Sequence, residues 1–112
     1  MTVTPTEPIS LLGIPLDANS SFLPGCALGP DAIRTALHST SGNDANEASV
    51  HVTPLLDDLG DVGLTNERGS YLDADAITAA VRSQLAAGRQ LISIGGDHSV
   101  TYPVLREFRE VH

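Results

Sequence analysis

Gln90-Leu91-Ile92-Ser93-Ile94-Gly95-Gly96-Asp97-His98-Ser99 is an apolar run stopped by two glycines and followed at once by polar groups. A short apolar run bounded in this way reads as a strand. The glycines let the chain turn sharply at the strand's carboxyl end. In open parallel sheets that end is where ligands bind, so Asp97 and His98 are delivered together to the expected ligand edge. Imidazole is the commonest metal ligand. The residues alone leave His98 open between ligation or catalysis and a hydrogen-bonded structural role.

Working outward from this strand, the sequence alternates. Asp73 to Ala87 reads as a helix, with Ile77, Val81 and Leu85 on one face, Asp73 or Asp75 near its start, and Gly88 closing it. Before it, Val50 to Leu59 carries a strand or strands around Pro54, ending at Gly60-Asp61-Val62-Gly63. Gly29-Pro30-Asp31 opens an earlier helix, because proline suits the first helical position and an acid suits the positive helix start. Ala32, Ile33, Ala36 and Leu37 are its expected apolar stripe. Ile9 to Ile14 is the first buried strand, and Pro15 to Gly29 is a long loop of the kind that often carries function. Ser39 to Ser49 is a polar surface connection, and Ser99 to Val111 a last helix with Val104, Phe108 and Val111 on one side.

Strand and helix in strict alternation predict an α/β fold, a parallel sheet with flanking helices. Residues 1–8 are expected to be a flexible lead-in, and residues 9–112 an incomplete α/β domain. Three strands and three helices are half of a doubly wound sheet, and this leaves an edge open to pairing.

Composition narrows the partners. Six Lys and Arg against fourteen Asp and Glu give a net charge of -8, which opposes attraction to nucleic acid and to anionic membranes. A hydrophobic fraction of 41% with 18% charged residues belongs to a globular chain rather than a disordered one. The lone Cys26 cannot form an internal disulfide and reads as a small buried residue. Met1 to Pro8 holds no signal-peptide pattern, and no apolar run reaches the ~20 residues of a membrane span. A cytoplasmic location is expected. Asn19-Ser20-Ser21 is formally a glycosylation acceptor but follows no secretory signal.

Gly95-Gly96-Asp97-His98-Ser99-Val100-Thr101-Tyr102-Pro103 resembles the first signature of the ureohydrolase family of arginase, agmatinase and formiminoglutamase. Three further blocks resemble the family's N-terminal blocks in order: Gly13 to Asp17, Pro24 to Arg34, and Leu59 to Val62. The Pro24 to Arg34 block looks more like agmatinase and formiminoglutamase members than arginase proper. The resemblance implies the N-terminal portion of an arginase-like three-layer α/β/α domain. It also implies a manganese-dependent hydrolase of non-peptide C–N bonds in linear amidines, acting on a small guanidino or formimino substrate. Two manganese ions would hold a hydroxide, since paired cations make a nucleophile from water at neutral pH.

Residue by residue, only His98 carries over as a metal ligand. Asp97, with Gly95, Gly96 and Ser99, carries over as motif surroundings that orient ligands or close the turn. The family's remaining ligands come from two later Asp-rich blocks that this sequence does not contain. Asp57-Asp58 and Asp73-Ala74-Asp75 are the nearest imitations and read as structural. No catalytic set is complete, so the isolated chain is expected to be inactive and to bind no stoichiometric manganese. Asp17, Asn19 and Ser20 form a candidate substrate-entrance loop, with turn formation as their other reading. Arg34 is expected to pair with an acidic neighbour. His38, His51 and His112 lie in unrelated elements. A homo-oligomer, or association through the open sheet edge, is expected, and the alternative function is a truncated, non-catalytic paralogue acting as an interaction or assembly module.

Overall fold

The computed structural model describes residues 8–40 and 42–111, the last by its backbone alone. Of the lead-in, all but Pro8 lies outside the described residues, as do His112 and the side chain of Val111 expected on the last helix. Three strands, β1 (Ile9–Ile14), β2 (Leu56–Asp61) and β3 (Leu91–Gly95), alternate with three helices, α1 (Gly29–Leu37), α2 (Tyr71–Ala86) and α3 (Thr101–Val111). Short 3-10 turns precede α1, β2 and α3 at Cys26–Leu28, Thr53–Leu55 and His98–Val100.

The sheet order is β2-β1-β3, and both pairings are parallel. The first strand is thus the central one, which explains why it carries no charge and is buried along nearly its whole length: both its faces are covered. Leu12 and Ile14 belong to the core cluster with Ile77, Val81 and Leu85 of α2 and Val104 of α3. Ser10 lies on the same face, where its hydroxyl donates to Gln84 Oε1 of α2 at 2.8 Å. Leu11 and Gly13 point to the opposite face, toward α1.

α2 begins two residues before the apolar spacing suggests. Ser70 caps it, its Oγ accepting the Asp73 N–H at 3.2 Å. Tyr71 and Leu72 are exposed and so carry no periodic signal. At the other end Gly88, at φ 75°, and Arg89 donate their N–H groups back to Leu85 and Gln84, the paired bonds of a Schellman closure.

Two expectations need correction. The strand expected over Val50 to Leu59 begins only at Leu56, because Pro54 opens a 3-10 turn and has no N–H for a ladder. The expected stripe of α1 is also not its buried side: Ala32, Ile33 and Ala36 are exposed, whereas Pro30 is buried.

The rotation of α1 is set by charge. Arg34 donates from Nε to Asp58 Oδ2 at 2.9 Å and from Nη1 to Asp61 Oδ1 at 2.5 Å, with a further contact to Asp31 at 3.2 Å. Asp58 and Asp61 are three residues apart and would face opposite sides of a regular strand. A register shift between Leu11 and Gly13, with Gly60 at φ 78°, adds the extra residue that turns both carboxylates toward α1. Beneath them lies Gly13, where a Cβ would fall on Asp61 Oδ1 and within 2.8 Å of Arg34 Nη2.

Candidate functional site

The carboxyl ends of the parallel strands share one edge, and three loops rise from it: 15–28 after β1, 62–70 after β2 and 96–100 after β3. Side chains, rather than a backbone ladder, hold these loops together.

The β3 turn is fixed first by glycine. A Cβ on Gly96 would collide with the Leu16 carbonyl oxygen and lie 2.7 Å from that of Ile14, so only glycine lets the turn pass the end of β1. One on Gly95 would lie 2.8 Å from Val100 Cγ2. Asp97 is next, only 7% exposed. Its N–H donates to the Leu16 carbonyl at 2.7 Å. Its Oδ1 accepts from the Ser99 N–H at 2.9 Å and from the Ser99 hydroxyl, and its Oδ2 accepts from the Asn19 N–H at 3.0 Å. The carboxylate therefore closes the turn from behind.

His98, between these two residues, opens the 3-10 turn and is exposed. It borders one groove with Asn19, Ser20, Phe22 and Cys26 of the β1 loop, and another along Tyr102, Leu105 and Arg109 of α3.

The β1 loop is pinned at Asp17 and Asn19. Asp17 accepts from Asn66 Nδ2 at 2.8 Å and from the Gly25 N–H at 2.9 Å. These bonds, that from Asn66 foremost, hold its carboxyl below the usual range. Asn66 in turn accepts the N–H groups of Asp17 and Ala18. Asn19 donates from Nδ2 to Ser99 Oγ at 3.1 Å, and its Oδ1 accepts the Gly69 N–H at 2.7 Å. The Ser20 N–H donates to the Asp17 carbonyl at 3.1 Å, and its hydroxyl lies 3.7 Å from Cys26 Sγ. Cys26 itself is exposed on the loop rim rather than buried as expected, because it sits on the short turn outside the core.

Asp73, at the start of α2, supports the same edge. It is 3% exposed and accepts from Thr65 N–H, Thr65 Oγ1 and Asn66 N–H. Burial alone would raise its pKa, but these donors outweigh burial and hold it below the usual carboxylate value. Asp58 is committed to Arg34, and Asp57 lies 3.1 Å from Arg89 Nη2. Asp57, Asp58 and Asp73, three of the four carboxylates in the pairs resembling metal ligands, therefore have structural partners, and Asp75 is exposed. Sequence reading missed Asn66 and Gly69. The available signal was an Asn in a loop, a residue that tolerates the left-handed region, where Asn66 sits at φ 57°.

The donor set does not make a metal centre by itself. Among the described residues no group of three or more His, Cys, Asp or Glu is placed to hold an ion. One imidazole is exposed, and the carboxylate beside it already accepts three hydrogen bonds. Among the described residues no helix is long and apolar enough to cross a membrane.

Comparison with known proteins places this edge in context. The chain is 38% identical over 109 residues to arginase 1, mitochondrial, of Arabidopsis thaliana, covering 90% of this chain and 32% of that protein. It is 32% identical over 104 residues to the mitochondrial agmatinase of Gallus gallus, covering 92% of this chain and 30% of that one. The crystal structure of a hypothetical agmatinase from Burkholderia thailandensis superposes with a TM-score of 0.80 at 25% identity, over 94% of this chain and 34% of the other. The chain thus spans about a third of the length of the relatives it matches. The model of the arginase family matches residues 7–112, nearly the whole chain. With the 2-1-3 parallel sheet and the Gly-Gly-Asp-His turn at the carboxyl end of β3, this establishes that the chain belongs to the arginase family.

Proposed function

We propose that this chain forms the first part of a linear-amidine hydrolase and contributes His98 as one imidazole ligand of a manganese pair. The observation that supports this reading most is the placement of His98. It is exposed at the carboxyl edge of a parallel sheet, on a turn that Asp97 closes from behind. The substrate class is a small guanidino or formimino compound, in keeping with the arginase, agmatinase and formimidoylglutamase relatives. When bound, the metal pair would supply an activated water. This chain's own work is to hold one imidazole outward and to keep the neighbouring carboxylate turned inward. With a single ligand the isolated chain is inactive and binds manganese at well below one ion per chain. Any self-association runs along an open sheet edge, that of β2 or β3, which no described strand covers.

The test is a chimera in which residues 8–111 replace the matching third of an active arginase-family relative. The chimera should hydrolyse its relative's substrate. His98→Ala in the chimera should lower manganese affinity at least about 10- to 100-fold. Full manganese content and full activity in the His98→Ala chimera would sink the reading, as would two tightly bound ions on the isolated chain.

A further inference from the structure

We infer that Asn19 is a positioning residue for His98: it orients the His98 turn by bonding that turn on one side and the β2–α2 loop on the other. The inference rests on the reading of His98 as a ligand.

Asn19 uses three polar groups at once. Its backbone N–H donates to Asp97 Oδ2 at 3.0 Å, its Nδ2 donates to Ser99 Oγ at 3.1 Å, and its Oδ1 accepts the Gly69 N–H at 2.7 Å. The residues so gripped, Asp97 and Ser99, are the immediate neighbours of His98 in sequence. Holding both fixes the direction in which the backbone projects the imidazole.

The proton directions in this chain are determined. The Ser99 hydroxyl donates to Asp97 Oδ1, which leaves its oxygen lone pairs as acceptors, and Asn19 Nδ2 supplies the donor. Asp97 thereby receives three donors and stays turned away from the edge, beside an imidazole that stays exposed.

The position calls for asparagine in particular. A single short side chain must offer a donor toward Ser99 and an acceptor toward Gly69. Aspartate lacks the donor, and alanine lacks both. Asp17 and Asn66 also join the β1 and β2 loops, but neither bonds to the His98 turn. Asn19 carries the coupling from that pair to the metal-ligand candidate.

The experiment uses the purified chain without metal. The ring resonances of His98 are followed by NMR against those of His38 and His51 as internal references, together with the Gly69 amide exchange rate. In Asn19→Ala, Gly69 exchange should rise about tenfold, the effect of one lost hydrogen bond. The His98 ring signals should shift or broaden, and those of His38 and His51 should not. Asn19→Asp separates the two halves: Gly69 should exchange as in the parent, whereas His98 should be displaced as in Asn19→Ala. Should both variants remain folded with His98 signals identical to the parent, the role is overturned and Asn19 is only a loop brace. If Asn19→Ala fails to fold, Asn19→Asp and Ser99→Ala decide by the same criterion. Adding manganese to the chimera described above tests the ligand reading independently. Absence of paramagnetic broadening at His98 there would reject the ligand and leave the positioning result standing.

Discussion

Arg34 shows how one side chain governs a helix. It lies between two carboxylates of β2 over a glycine of β1, with 15% of its side chain exposed. Its Nη2 is buried with no hydrogen-bond partner among the described residues, and a Cβ on Gly13 would lie 2.8 Å from it. Arg34→Ala should destabilise the fold by roughly 2–3 kcal/mol, because Asp58 and Asp61 would be left facing each other without a cation. Gly13→Ala should cost a similar amount by pushing Asp61 off the guanidinium. Urea midpoints for both variants and for the double variant provide the check. If the ion pair over Gly13 is the shared cause, the double loss should be less than additive. That Arg34 pairs with an acid was legible in the sequence. The dependence on Gly13 was not, because it follows from a bulge in a strand almost fifty residues away.

Among the elements, α2 was the most legible. Ile77, Val81 and Leu85 recur at four-residue spacing, and all three are buried. α1 was misread because its orientation is decided by ion pairs with β2, which no apolar pattern encodes. α2 and α3 are joined by Arg82, which donates from Nε and Nη2 to Glu107 at 3.0 and 2.9 Å, while Glu107 is 2% exposed. The arginine holds the Glu107 carboxyl below its ordinary 4.5. The Gly60 N–H and Arg34 hold Asp58 below 3.8, and Asp73 lies below 3.8 because its donors outweigh burial. A carboxylate whose folded pKa is depressed adds stability that is complete above its unfolded pKa and is lost as pH falls through its folded value. Urea midpoints should therefore be nearly constant from pH 7 down to about 5 and fall steeply below about 4.5. Arg82→Met should flatten part of that fall, and a midpoint independent of pH down to 3 would contradict the assignment. The candidate site was legible at His98 and Asp97, where a glycine turn follows a strand. The contacts of Asn19, Asn66 and Gly69 were not, since they join loops whose approach only the sheet order determines.

At the scale of the whole molecule, the α carbons span 43 × 35 × 19 Å with a radius of gyration of 15.0 Å. A compact chain of this length would have about 13 Å. The molecule is a slab with apolar side chains left at its faces, including Ile92, Tyr102 and Leu105. The 2-1-3 strand order also has a consequence for time. Of the three described strands β1 leaves the ribosome first, yet Ile9 must wait for Leu56, and Ser10 for Leu91, before its backbone groups are paired. At about 5–20 residues per second, that wait lasts several seconds. The most apolar strand is unsheltered throughout it. Refolding of the pure chain should accordingly be slow for its size, in milliseconds to seconds rather than microseconds. Stopped-flow refolding would measure it. A polar substitution on the exposed face of α1, such as Ile33→Ser, should leave the rate nearly unchanged, whereas Leu12→Ala should reduce it. The strand that ends at the centre of the sheet begins as the segment most in need of a chaperone.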